Sequence, residues 1–153
     1  KSSNTSVASV NSSGVVTGIS KGNATITATS ADGSLSATCS VTVKDITDFI
    51  TASSGGGAIM MVNDLIQYGS SLGWTFNNDS TEKVRLKSLQ LVDGVTGYEG
   101  NIMEVNEDVA AGGSVSYSTT IGLLGIHIPV TCRFRYEYNG KEYMTTAEFK
   151  SYF

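Results

Sequence analysis

The chain has 153 residues, of which 40% are hydrophobic and 16% charged, with a formal net charge of −4. That is apolar enough for a packed core and too poor in charge for a disordered chain. The acidic balance argues against nucleic acid as a partner, because phosphate-binding surfaces concentrate Lys and Arg. No apolar run reaches the ~18 residues of a membrane-spanning helix, the longest being residues 58–62 and 121–130.

Short strands separated by turns begin at once. Gly14 and Gly18 bracket Val15-Val16-Thr17, and Gly22 precedes a stretch in which Ala24, Ile26 and Ala28 alternate with Thr25, Thr27 and Thr29. In the next stretch Ala37, Cys39, Val41 and Val43 alternate with Thr38, Ser40 and Thr42. A period of two puts one apolar face on each strand, and Asp32-Gly33 between them tolerates the positive φ angles of a tight reversal. Two antiparallel strands sharing a face are therefore predicted, with Cys39 buried as a small hydrophobe.

The segments SSNTSVASV, SSGVVTGISKGNATITATSADG and SATCSVTV, in that order, resemble the second half of a bacterial immunoglobulin-like module of group 2, over about residues 2–44. The resemblance implies a β-sandwich, no catalytic residues, and a place in a secreted or cell-surface protein. An immunoglobulin-like sandwich needs roughly seven strands over about 100 residues, and residues 1–44 supply about half of that. The module is accordingly expected to be partial, its opening strands belonging to a longer chain ahead of Ser2. It is expected to lean on a neighbour, with self-association through the incomplete module as one outcome.

Lys44-Asp45-Ile46-Thr47-Asp48 forms a polar bridge, placing the domains at 1–44 and 45–153. Asp45 and Asp48 fall well short of the six to eight oxygen ligands usual for Ca²⁺, so they are solvated carboxylates. Beyond them, residues 53–57 (SSGGG) suggest a flexible turn and Asn63-Asp64 a tight reversal. Leu72, Trp74 and Phe76 alternate with Gly73 and Thr75 and point inward together. Val84 and Leu86 share one phase and Leu89 and Leu91 the other, which predicts a bulge near Lys87-Ser88. Asp93-Gly94 and Ala111-Gly112-Gly113 mark turns, and Val115, Tyr117, Thr119 and Ile121 line the inner side of a late strand.

The closing hairpin joins Val130–Tyr138 to Lys141–Phe149 through Asn139-Gly140, the strongest short hairpin signal. A two-residue turn sets Tyr136 opposite Tyr143, Phe134 opposite Thr145, Cys132 opposite Ala147 and Val130 opposite Phe149. Cys132 and Ala147 are both small, and Trp74 from the facing sheet is expected to fill the space between them. The opposite face, with Arg133, Arg135, Glu137, Glu142, Met144 and Glu148, is wet.

Catalytic constellations are weak. Gly69-Ser70-Ser71-Leu72-Gly73 spells a nucleophile elbow with His127 downstream, but the elbow needs a strand-to-helix turn on a parallel sheet, and no helical period is present. His127 is the only histidine, too few for a multi-histidine metal site. Glu104, Glu107 and Asp108 show no sign of facing one another across a cleft, as paired glycosidase carboxylates do. No catalytic, cofactor-binding or metal site is assigned, and no cofactor is expected. One segment stands out, 122–128 (GLLGIHI), whose Leu123, Leu124, Ile126 and His127 either cap the end of the sandwich or form a contact patch.

The fold class is thus all-β, an immunoglobulin-like sandwich, with a partial N-terminal module and a complete C-terminal one. The expected function is non-catalytic: an adhesin-type or stalk segment, extracellular or at the cell surface, contacting a host or surface protein or a glycan. The alternative is a carbohydrate-binding accessory module, which needs Tyr68, Tyr98, Tyr117 or Tyr138 aligned on an outer surface.

Overall fold

The computed structural model describes residues 1–55, 61–62, 65–66, 70–121 and 126–150. The chain divides into two compact units, Lys1–Asp48 and Phe49–Phe153, just past the boundary read at residue 44. Among the described residues the regular structure is almost all β, apart from one 3-10 turn at Ile46–Asp48.

In the first unit β1 (Ala8–Val10) pairs antiparallel with β2 (Val16–Gly18), and β3 (Gly22–Thr29) with β4 (Ser36–Val43). The β3–β4 register sets Ala24 opposite Val41, Ile26 opposite Cys39 and Ala28 opposite Ala37, as the alternation requires. Its core is small. Val7, Ala8 and Ala24 are buried, and Val41 and Val43 pack partly against them.

Burial then fades along the hairpin, from Ala24 through half-buried Ile26 to exposed Ala28. Cys39 is exposed, which corrects the expectation that it is buried. The alternation correctly puts it on the apolar face, but β1 and its flanks cover only the end of that face near Ala24 and Val43.

The second unit contains two facing sheets. One runs β11–β8–β5 (Gly113–Thr120, Ser71–Asn78, Ile50–Gly55), and the other β10–β9–β13–β14 (Glu99–Val109, Val84–Asp93, Val130–Tyr138, Lys141–Phe149). Every pairing within them is antiparallel. Strand β8 buries Leu72, Trp74, Phe76 and Asn78 in strict alternation. Across the interior Phe76 meets Phe134 and Tyr136 at centroid distances of 5.7 and 5.6 Å. Trp74 is 1% exposed and donates its indole N–H to Thr119 Oγ1 at 2.7 Å, so its polar edge is satisfied without water.

The terminal hairpin has the register derived from its turn, with Tyr136 opposite Tyr143, Cys132 opposite Ala147 and Val130 opposite Phe149. Asn139 and Gly140 carry φ values of 50° and 72°, the two successive positive angles of a type I′ turn. The bulge also falls where the phase slips. Arg135 pairs with Ser88 and Tyr136 with Leu86, leaving Lys87 unopposed, and Leu86 and Leu89 are both buried on either side of it.

Residues 53–55 depart from expectation. They extend β5 and are not a flexible turn, because Ser53, Ser54 and Gly55 pair with Thr75, Trp74 and Gly73. Ladder hydrogen bonds to a well-formed neighbour override weak intrinsic β propensity. Gly56 and Gly57 lie outside the described residues. A third, small sheet joins β6 (Met61–Val62), β7 (Leu65–Ile66) and β12 (Ile126–His127), and the reversal at Asn63-Asp64 is outside the described residues. The flanks of the sandwich are tied across the sheets by Ser54 Oγ donating to Glu148 O at 3.0 Å and by Tyr117 Oη donating to Glu107 Oε2 at 2.6 Å.

Candidate functional site

Asp93 ends β9 and organises one end of the second unit. Its Oδ1 accepts the amides of Val95 and Thr96 at 2.9 and 2.8 Å, and its Oδ2 accepts the amide and Nδ1 of His127 at 2.9 and 2.8 Å. The backbone repeats the theme, with Gly97 N donating to Asp93 O and Asp93 N to Tyr98 O. Asp93 is 5% exposed. Burial alone would raise its carboxyl pKa, but the converging N–H groups stabilise the anion more strongly and hold it well below the usual carboxylate range.

The result is a fixed turn beside β12. Gly94 N donates to Pro129 O at 2.8 Å, and a Cβ at Gly94 would lie 2.3 Å from that oxygen, so only glycine fits. The turn holds Val95 and Tyr98 outward, 65% and 62% exposed. Beside it, Ile126 is buried and pairs with Ile66, which is also buried, while the ring of His127 is part-exposed on its Asp93 anchor. Leu123 and Leu124 lie outside the described residues. The described part of the segment, residues 126–128, therefore has buried Ile126, half-buried Ile128 and a part-exposed imidazole, with Val95 and Tyr98 exposed on the neighbouring turn.

A second buried polar centre closes the other end. Asn78 Nδ2 lies 2.8, 3.1 and 3.0 Å from the carbonyls of Glu82, Val109 and Ala110, sharing two hydrogens among three acceptors. Its Oδ1 accepts Ser80 N and Oγ. Asn78 is the next inward position after Leu72, Trp74 and Phe76, so its burial was readable from the phase. The Asp93–Val95/Thr96 contacts are of the kind an Asp-Gly turn implies, but the link to His127 spans 34 positions and leaves no local signal.

The remaining candidates do not converge. Asp108 is paired with Lys83 and Arg85, and Glu107 with Tyr117. Burial together with the Glu107 contact raises the Tyr117 phenol well above its usual range. Ser71 opens β8 opposite Thr120, on a strand pair and not on a strand-to-helix turn, and Gly69 is outside the described residues. Cys132 is fully buried and its thiol is pushed up to about 12 by burial, too high for a nucleophile. Lys21 faces Asp45 and Asp48 at 3.8 and 2.5 Å, which makes those carboxylates ion-pair partners. Among the described residues no cluster of three His, Cys, Asp or Glu suits a metal ion, and no helix is long and apolar enough to cross a membrane. Tyr98 lies at the Asp93 end of the four-stranded sheet and Tyr138 at the Asn139 end. Tyr117 is tied to Glu107, and Tyr68 is outside the described residues.

Residues 1–41 match the family model of the bacterial Ig-like domain (group 2). The matched residues lie within the N-terminal unit. Modules of this family are non-catalytic and typical of extracellular or surface proteins. No curated protein matches the chain. A solved structure, Pseudomonas fluorescens alkylpurine DNA glycosylase AlkC bound to DNA containing an abasic site analog, is similar over 67% of this chain and 31% of that one, at 13% identity and a TM-score of 0.32. So faint a likeness carries no argument about fold or activity, and this chain spans under a third of that protein.

Proposed function

We propose that the chain is a non-catalytic display segment of a secreted or cell-surface protein, of the adhesin or stalk type, whose second sandwich presents loops to a surface protein or glycan. The observation that carries the reading is the group 2 bacterial Ig-like match at residues 1–41, joined in the same chain to a second β unit. The construction of that second unit supports it. Buried polar centres at Asp93 and Asn78 hold the turns at both ends, and a rigid turn lets exposed side chains contact a partner without a large ordering cost. Val95, Tyr98 and His127 form the presented patch, with Ile126 beneath.

Protease shaving of intact cells that make the parent protein tests this reading. Peptides of this sequence are expected in the supernatant of trypsin-treated intact cells. Their release only after lysis would contradict it.

A further inference from the structure

The tautomer of His127 follows from its partner. Asp93 Oδ2 lies 2.8 Å from the ring Nδ1 and accepts the backbone amide of the same residue at 2.9 Å. The Asp93 carboxyl, held well below the usual carboxylate range, is ionised. An ionised carboxylate only accepts hydrogen bonds, so the neutral imidazole carries its hydrogen on Nδ1. Its other nitrogen, Nε2, then has a free lone pair on the far edge of the ring. The side chain is 39% exposed, and among the described residues Nε2 has no hydrogen-bond partner. His127 therefore offers the surface a fixed acceptor.

Tyr98 is turned to the same side of the sheet. Gly97, at a φ of 71°, and Tyr98 together oppose Asp93: Gly97 N donates to Asp93 O at 2.8 Å and Asp93 N to Tyr98 O at 2.9 Å, the two-against-one count of a glycine bulge. The next residue, Glu99, sends its carboxylate to Arg133 and Gln90, on the face opposite buried Cys132, Phe134 and Leu89. Alternation puts Tyr98 on the other side, where Asp93 pairs with buried Val130 and reaches His127. Tyr98 is 62% exposed there. One residue, Asp93, thus fixes an outward aromatic ring by its backbone and an outward acceptor by its side chain.

Charge and size select the partner. In residues 93–98 and 126–130 the only carboxylate, lysine or arginine side chain is that of Asp93, and it is buried under its donors. A charged ligand finds no counter-charge at this surface. A turn of six residues also falls far short of the roughly 20–30 that each side of a standard protein interface supplies. We propose that the Asp93 turn is a subsite for a neutral glycan, in which the ring of Tyr98 stacks on the apolar C–H face of one sugar and Nε2 of His127 accepts a hydrogen bond from a sugar hydroxyl. Both groups are ordered before the ligand arrives, which lowers the cost of binding. The inference rests on the display reading and names the class of its partner.

Affinity electrophoresis of the full chain in gels containing dextran, mannan or mixed-linkage β-glucan tests it, with carboxymethyl cellulose as the anionic control. Retardation by at least one of the neutral polysaccharides and not by the control is expected. His127→Asn keeps a donor to Asp93 in the place of Nδ1 but has no atom in the place of Nε2, so it should lower the affinity at least tenfold with an unchanged melting temperature. Tyr98→Ala should do the same, whereas Tyr98→Phe, which keeps the ring, should bind as the parent chain does. Long-range proton–nitrogen spectra of the imidazole, recorded above neutral pH, should show the hydrogen on Nδ1. A hydrogen on Nε2, no retardation by any of the three neutral polysaccharides, or retardation that His127→Asn and Tyr98→Ala leave unchanged would overturn the proposal. Release of the chain on shaving without polysaccharide binding defeats this inference alone, and binding without release defeats the display reading alone.

Discussion

The two cysteines occupy equivalent places in two hairpins and meet opposite fates. Cys39 in β4 and Cys132 in β13 each lie on the apolar phase of an alternating strand, opposite Ile26 and Ala147. One is exposed and the other fully buried. The hairpins differ in what lies over them. Strand β13 is covered by β8, which brings Phe76 onto Phe134 and Tyr136, whereas among the described residues the buried cluster on the β3–β4 hairpin is the one near Val7 and Ala8. Alternation therefore tells which side chains share a face, and a second layer decides whether that face is dry.

The sharpest way to break this comparison is to truncate one side chain in each hairpin. Phe134→Ala removes a fully buried ring and is expected to cost about 3–5 kcal/mol, while Ile26→Ala, from a half-covered face, costs about 1 kcal/mol. Urea unfolding monitored by Trp74, the only tryptophan, reports the first directly, and far-ultraviolet circular dichroism the second.

Next in size is the buried carboxylate. Asp93→Ala leaves the amides of Val95, Thr96 and His127 without their acceptor and is expected to cost about 2–3 kcal/mol. Because the folded-state pKa of Asp93 is depressed, its contribution is complete above the unfolded value of about 3.9 and is lost as pH falls below it toward the folded value. The urea midpoint of the second unit should therefore drop on acidification below about pH 4, and the drop should shrink in Asp93→Asn. An unchanged acid slope in that variant would assign the loss to other carboxylates.

A smaller effect is expected at the neighbouring turn. Gly94→Ala places a methyl group against the Pro129 carbonyl, which should lower stability by about 1–3 kcal/mol. Gly33→Ala in the first hairpin meets no neighbouring atom and costs only the strain of its positive φ of 74°, about 1 kcal/mol. Thermal melts of the two variants compare a packed turn with an open one.

Much of the fold was legible because β periodicity and turn chemistry are local. The Asn139-Gly140 turn fixed the register of β13–β14, and the slip from Leu86 to Leu89 located the bulge at Lys87. The 53–55 stretch was misread because its strand character comes from β8 and not from its own residues. Strand β10 left little pattern, since an edge with two register shifts has no sustained inner face. The candidate site was only half legible. Asp93-Gly94 announced a turn, but the carboxylate that joins this turn to His127 depends on the β9–β13 pairing, which brings Asp93 opposite Val130. Leu123 and Leu124, read with Ile126 and His127 as either a cap or a contact patch, lie outside the described residues.

The difference in cover is tested most directly by counting reactive thiols. In native buffer at dilute protein, an aromatic disulfide reagent is expected to modify one thiol per chain rapidly, and mass mapping should place it at Cys39. Cys132 should react only once urea unfolds the second unit. Equal protection of both cysteines under native conditions would contradict the account, as would rapid labelling of Cys132.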